Sequence, residues 1–278
     1  MHINDMILEI TRMCTLRCEH CLRGERRNEF MSSETIYNTF KDINSVKRIV
    51  ISGGEPLLAI KEIEEIINIV KTRNIKIDEV LLITNCTVFN SGVLRVLKEL
   101  ANLTKLDLRL SYDMFHYLQL KELNLLEERQ KNAKVFKEFF NATDYVSLED
   151  SKPDEFIYIE PVGRGYTLTE ERINEINNMS KAKYKKYYSR NKYMNLARYE
   201  ENINTITGTI NMDVYGNITD HALSFDEEDE TIDKYQANVN ELGLIGAVTK
   251  HSDWFDEIYP DGVYEEDARK YIKWLNIK

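Results

Sequence analysis

Two stretches, "RIVIS" at Arg48–Ser52 and "EVLLIT" at Glu79–Thr84, are nearly unbroken apolar runs. Runs of this length and composition suit strands covered on both faces, the situation of a parallel sheet flanked by helices. Three further runs read as strands: "MILEIT" at Met6–Thr11, "KLDLRLS" at Lys105–Ser111 and "FIYIE" at Phe156–Glu160. Between them, Ile60, Ile63, Ile66, Ile67 and Val70 mark one helix face, and Val93, Val96, Leu97 and Leu100 mark another. Strands alternating with such helices build βαβ units, so the fold class is α/β. A longer charged helix is expected over Phe115–Phe140 and a strand, turn and strand over Thr207–His221 around "YGN". The acidic run Asp226–Glu230 reads as an exposed loop, and Glu265–Leu275 as a helix. The rest of the last fifty residues shows no clear period.

A chain of 278 residues can bury one large core, which favours a single α/β domain with an appendage. It has no apolar run of membrane-spanning length, and "MHINDMILEI" lacks the pattern of a secretory signal. A cytoplasmic location, with no membrane partner, is the expectation. The formal charge of −10 disfavours broad attraction to nucleic-acid backbones. One local exception is the basic, tyrosine-rich stretch Lys181–Arg198, which suits either a phosphate-binding surface or a solvated helix with snorkelling lysines.

Three of the four cysteines, Cys14, Cys18 and Cys21, lie within eight residues in "MCTLRCEHC", leaving Cys86 apart. This makes a poor disulfide framework, and clustered thiols in a reducing compartment point instead to a metal or to chemistry. Their spacing, C-x3-C-x2-C, follows the end of the first strand, so one loop can wrap a single inorganic centre at the edge where parallel α/β folds place their sites. A structural zinc normally takes four closed ligands in two separated pairs, and no second pair is present. His20 as a fourth ligand keeps zinc open as an alternative, although one short loop would then have to close every tetrahedral corner. A [4Fe–4S] cube ordinarily takes four thiolates, so three would leave one iron open to an external ligand.

Set after a first strand, C-x3-C-x2-C resembles the signature of the radical S-adenosylmethionine (radical SAM) enzymes. The resemblance implies a partial (β/α)6 TIM-like barrel, with residues 1–210 as the core and 211–278 as a C-terminal extension closing the barrel or contacting substrate. It implies a [4Fe–4S] cluster on Cys14, Cys18 and Cys21, with S-adenosylmethionine (SAM) chelating the open iron. Reductive cleavage of SAM then gives a 5′-deoxyadenosyl radical that abstracts hydrogen from a substrate.

Further stretches extend the likeness. "SGGEP" at Ser52–Pro56 is similar to the family's GGEP motif, assigning Gly53, Gly54, Glu55 and Pro56 to the SAM amino group. "LSYDMFH" places Ser111 and Asp113 where relatives contact the SAM ribose or amino-acid portion, with His116 as a weaker candidate. In "EPVGRG", Arg164 matches a late Pro-x-Gly-Arg element, a guanidinium suited to the SAM carboxylate. His20 takes the position of a residue that packs near adenine. Cys86 stands in "TNCT" where many relatives have glycine, and at the barrel mouth its thiol would be a catalytic hydrogen donor, as in some peptide epimerases. The competing reading is a small buried cysteine.

The opening "LEITRMCTLRCEHCLRG" resembles peptide-modifying relatives, which favours a peptide or amino-acid side chain as substrate, or a small molecule handled in the same way. "NMDVYGNITDHAL" at Asn211–Leu223 resembles the start of a SPASM extension, but no cysteine follows Cys86, which leaves one cluster. A low-potential electron donor such as flavodoxin or ferredoxin is implied. Two alternatives stand beside this reading: radical modification of a nucleotide or RNA base, and a noncatalytic iron–sulfur or metal-binding interaction protein.

Overall fold

The computed structural model describes residues 1–147, 156–159, 164–186, 196–219 and 237–258. In chain order the elements are β1 (His2–Glu9), α1 (Ser33–Phe40), β2 (Ser45–Ser52), α2 (Ile60–Arg73), β3 (Lys76–Thr84), α3 (Ser91–Leu103), β4 (Lys105–Tyr112), α4 (Met114–Glu122), α5 (Leu126–Phe140) and β5 (Thr143–Ser147). There follow β6 (Phe156–Ile159), α6 (Arg164–Thr167), α7 (Glu170–Met179), β7 (Lys183–Lys186), β8 (Arg198–Glu200), β9 (Thr205–Met212), β10 (Ile218–Thr219) and α8 (Val239–Ile258).

Six strands pair in parallel in the order β9-β1-β2-β3-β4-β5, and β8 and β10 join β9 antiparallel. This is the expected α/β architecture, with the sheet open: no ladder joins its two ends among the described residues. Side chains alternate between faces along each strand. One row, Met6, Leu8, Ile49, Ile51, Leu82 and Ile210, has no exposure and packs with Ile36 and Phe40 of α1, Ile63 of α2 and Val96 of α3. The opposite row is less covered, and Asp5, Ile7 and Asn211 keep partial exposure.

The observed strands begin three or four residues before three of the expected ones, because their first residues include exposed polar ones such as Asn4, Lys47 and Asp78 that break the apolar run. Three differences go further. The fifth strand in chain order, beside β4, is β5 rather than Phe156–Glu160, whose β6 pairs with β7 in a separate two-stranded sheet; β9 joins the parallel sheet beside β1. Gly208, at φ 71°, accompanies a register shift in the β1–β9 ladder, a bulge that glycine makes easy and that masks the strand's period. The long helix expected over Phe115–Phe140 is two helices, broken where Asn124 turns left-handed at φ 57° and Leu125 N–H returns to the Leu120 carbonyl at 2.8 Å.

The division expected between 210 and 211 falls inside β9. The acidic run Asp226–Glu230, the helix expected at Glu265–Leu275, much of Lys181–Arg198 and the end of Thr207–His221 lie outside the described residues. Among the described residues, no helix is long and apolar enough to cross a membrane.

Ile49 has no exposure and lies on a central strand, so Ile49→Ala should cost about 2–5 kcal/mol through lost burial and the cavity left behind. Urea unfolding should show a lower midpoint with an unchanged slope.

Candidate metal and cofactor centre

The loop after β1 carries Cys14, Cys18 and Cys21 as free thiols, the second buried and the others half-buried. Two tight turns shape it, with Cys21 N–H donating to the Cys18 carbonyl at 3.1 Å and Gly24 N–H donating to the Cys21 carbonyl at 3.3 Å. Cys14 Sγ accepts from Leu16 N–H at 3.4 Å and Asn85 Nδ2 at 3.7 Å. Burial, then Glu55, pushes the Cys14 thiol up to about 12, with Cys21 adding to the rise. Burial, Asp113 and the other two thiols push Cys18 well above the usual thiol range. Burial and neighbouring negative groups oppose thiolates at Cys14 and Cys18, and a cationic centre bound by the loop would relieve both. Iron held as a cluster fits that donor set.

The turn after β2 fixes where this loop runs. A Cβ on Gly53, at φ 147°, would lie 2.4 Å from the Thr11 carbonyl oxygen, and one on Gly54 would lie 2.2 Å from that of Met13. Gly54 N–H donates to the Thr11 carbonyl at 2.7 Å, and Glu55 N–H to the Met13 carbonyl at 2.8 Å. The expected close approach at these glycines is therefore to the backbone leading into Cys14. Pro56 begins a short 3-10 turn, Pro56–Leu58, which Glu55 caps through Leu57 N–H at 3.1 Å.

Glu55 is buried and accepts two further hydrogen bonds at the end of β3, from the Thr84 hydroxyl at 2.8 Å and Asn85 N–H at 2.8 Å. Burial raises its carboxyl to about 7, with those three donors opposing the rise. Its Oε2 receives one of these bonds and has capacity for another donor. Asn85 reaches Thr15 Oγ1 at 3.1 Å, and Thr15 meets Thr87 at 2.5 Å, tying the β3 end to the cysteine loop. Thr15, Thr84, Asn85 and Thr87 escaped the sequence reading, although "TNCT" pointed to the right place.

Across the loop stands Asp113. It caps α4 through His116 N–H at 3.0 Å and lies 3.0 Å from His20 Nε2 and 2.9 Å from His116 Nδ1. Burial alone would raise its carboxyl, but His116 and His20 outweigh that and hold it well below the usual carboxylate range. His20 stacks on Phe115 with ring centroids 4.5 Å apart, so Asp113, His20 and His116 form one cluster. Ser111 lies two residues earlier on β4, in register with Val146.

Two more of the expected residues, Arg164 and Cys86, have partners within the fold. Arg164 donates through Nε to the Cys18 carbonyl at 2.9 Å and through Nη1 to the Gly24 carbonyl at 2.5 Å, while its N–H donates to the Cys21 carbonyl at 2.9 Å. Its guanidinium clamps the loop through Nε and Nη1, because those turn carbonyls need donors. Cys86 is fully buried and packs in the apolar core just past the C-terminal end of β3. It adopts φ 65°, the left-handed region that favours glycine, and burial pushes its thiol up to about 12. Asn132 Nδ2 holds its carbonyl at 2.9 Å.

Comparison with known proteins agrees with this geometry. The family model described as the radical SAM superfamily matches residues 8–146, half of the chain. An uncharacterised protein of Methanocaldococcus jannaschii is 30% identical over 103 residues, 35% of this chain and 36% of its own. A provisionally assigned L-lysine 2,3-aminomutase of Aquifex aeolicus is 30% identical over 83 residues, 27% of this chain and 22% of its own. The matched stretches thus span about a third or less of these curated relatives. Among solved structures, anSMEcpe with bound AdoMet and the Cp18Cys peptide aligns with TM-score 0.52 at 14% identity, covering 91% of this chain and 82% of that one. Streptococcus suis SuiB bound to S-adenosylmethionine aligns with TM-score 0.51 at 14% identity, covering 87% and 64%. These likenesses establish the fold.

Gly54→Ala should destabilise the protein by about 1–3 kcal/mol by forcing the two backbones apart, and iron content after anaerobic reconstitution should fall far below wild type. Cys86→Gly should keep wild-type iron content, since relief of the left-handed backbone, about 1 kcal/mol, offsets the lost burial of one sulfur.

Proposed function

The chain belongs to the radical SAM superfamily, and we propose that its enzyme activity is hydrogen abstraction from a peptide or amino-acid side chain, with Cys14, Cys18 and Cys21 holding one [4Fe–4S] cluster. The protein is a radical SAM enzyme, and its cofactors are that cluster and SAM. When bound and reduced, the pair supplies a 5′-deoxyadenosyl radical.

The observation that supports the assignment of the three cysteines is that one loop after β1 carries all three as free thiols, while Cys86 is buried at the end of β3. The remaining residues position and shield. Gly53 and Gly54 admit the loop against β2, while Arg164 clamps the Cys18 and Gly24 carbonyls. Glu55 offers a buried carboxylate oxygen for an ammonium group, held in place by Thr84 and Asn85. Asp113, kept anionic by His20 and His116, offers a fixed acceptor for hydroxyl groups, and Ser111 stands on the same strand end. Their burial keeps water from a reactive radical.

The peptide reading is supported by the opening motif and by a fold shared with anSMEcpe, a protein solved with bound AdoMet and a peptide. The partly open face of the sheet, with Ile7 and Asn211 accessible, leaves room for a substrate chain. Electrons come in this proposal from a flavodoxin or ferredoxin.

Reconstituted anaerobically and given SAM and dithionite, the wild-type protein should form 5′-deoxyadenosine, quantified by mass spectrometry. The Cys14/Cys18/Cys21→Ala triple variant should form none above background. No product from wild type with an intact cluster, with and without a peptide library, would overturn the proposal.

A further inference from the structure

We infer that Glu9 is the docking point for a cationic nitrogen of the substrate, an ammonium or guanidinium group held at the C-terminal end of β1 beside Asp213. Glu9 alternates with the helix-facing Met6, Leu8 and Ile10, and so lies on the other face of the sheet. It is in register with Ser52 of β2, and since Leu8 pairs with Met212 of β9, Asp213 stands next to it across the sheet. Below it on that face are the partly exposed Ile7 and Asn211, and above it begins the cysteine loop. Glu9 therefore sits between the accessible face and the proposed radical source, at the edge where parallel α/β folds bind ligands.

The state of its carboxyl is the central observation. Glu9 has no exposure, and among the described residues neither Oε1 nor Oε2 has a hydrogen-bond donor. Arg23 Nη1 is 3.8 Å from Oε2, while Arg23 Nη2 donates to Ser52 Oγ at 3.3 Å. Asp213, by contrast, is fully engaged: Oδ1 accepts from Tyr215 N–H at 2.9 Å and Asn217 N–H at 2.8 Å, and Oδ2 from Asn217 Nδ2 at 2.9 Å. Leaving a buried carboxylate without donors is costly, and groups in that state gather at functional sites.

Charge counting sets the sign of the missing partner. Among the described residues, the charged groups facing Glu9 are Arg23, Asp213, Arg12 and Glu29. With Glu9 itself, three carboxyls face two guanidiniums, which leaves a place for one more cation. Without it, burial raises the Glu9 carboxyl to about 7, Asp213 and Glu29 adding to the rise against Arg23 and Arg12. A substrate nitrogen carrying several N–H donors would satisfy both free oxygens and balance the charge together.

The inference rests on the superfamily reading for the place of the substrate, but its test needs no turnover. Anaerobic, reconstituted, SAM-saturated protein is titrated calorimetrically at pH 8 with N-acetyl-lysine N-methylamide and with its norleucine counterpart, which lacks only the ammonium. An N-acetyl-arginine probe is run beside them. The lysine or arginine probe should bind about tenfold or more tightly than the norleucine probe, the scale of one charge-assisted contact. Glu9→Gln, checked for wild-type iron content and circular dichroism, should abolish that preference. In wild type, lowering the pH from 8 to 6 should weaken the cationic probe about tenfold, as the carboxyl takes up a proton through about 7. This second measurement stands if Glu9→Gln fails to fold. Equal affinities, undetectable binding of every probe, or a preference that survives in iron-loaded Glu9→Gln would overturn the inference. Probe discrimination without 5′-deoxyadenosine formation would instead fault the radical reading alone.

Discussion

The geometry of the site depends on two glycines having no side chain. Gly53 and Gly54 let the turn after β2 press against the backbone of Thr11 and Met13, at distances no Cβ tolerates. That contact sets the direction in which the chain leaves β1, and Cys14 follows within one residue. Two backbone hydrogen bonds then hold the approach. From the other side Arg164 clamps the loop carbonyls and Arg172 grips Glu19 with bonds of 2.8 and 2.7 Å. The three thiols are thus placed by backbone packing and by arginines from late in the chain, before any metal arrives.

The same region concentrates buried charge. Glu9, Glu55 and Asp113 all lie at C-terminal strand ends, and their surroundings separate their chemistry. Asp113 is held anionic by two imidazoles; Glu55 is fed three donors and still shifts upward; Glu9 receives no hydrogen bond among the described residues. A hydrophobic sheet can carry such groups only at its rim, where loops supply partners. In our reading each has a different ligand to meet: a ribose hydroxyl, the SAM ammonium and a substrate cation.

Much of this architecture is legible in the sequence, for local reasons. The unbroken runs of β2 and β3 and the isoleucine and valine spacing of α2 and α3 follow directly from burial on both faces of the sheet. The cysteine spacing and "SGGEP" are contiguous, so their position needs no tertiary knowledge. What stayed hidden is non-local. Thr143–Ser147 pairs with β4 where Phe156–Glu160 was expected, and a bulge at Gly208 interrupts the alternation of β9. The helix break at Asn124 depends on one left-handed residue that composition does not announce. Arg164 was matched to a ligand by motif, whereas its partners are loop carbonyls about 140 residues earlier. Cys86 occupies a glycine-like backbone position and is completely buried, neither of which its sequence context announces. Glu9 lay inside a quoted motif, but its lack of donors exists only in three dimensions.

The account's central claim is that three thiolates leave one iron of a four-iron cluster open to SAM. The most direct measurement is Mössbauer spectroscopy of protein reconstituted anaerobically with iron-57, recorded before and after SAM is added. The account predicts a four-iron signal in which one iron, and only one, changes isomer shift and quadrupole splitting when SAM binds. A spectrum unchanged by SAM, or a centre of any other nuclearity, would contradict it.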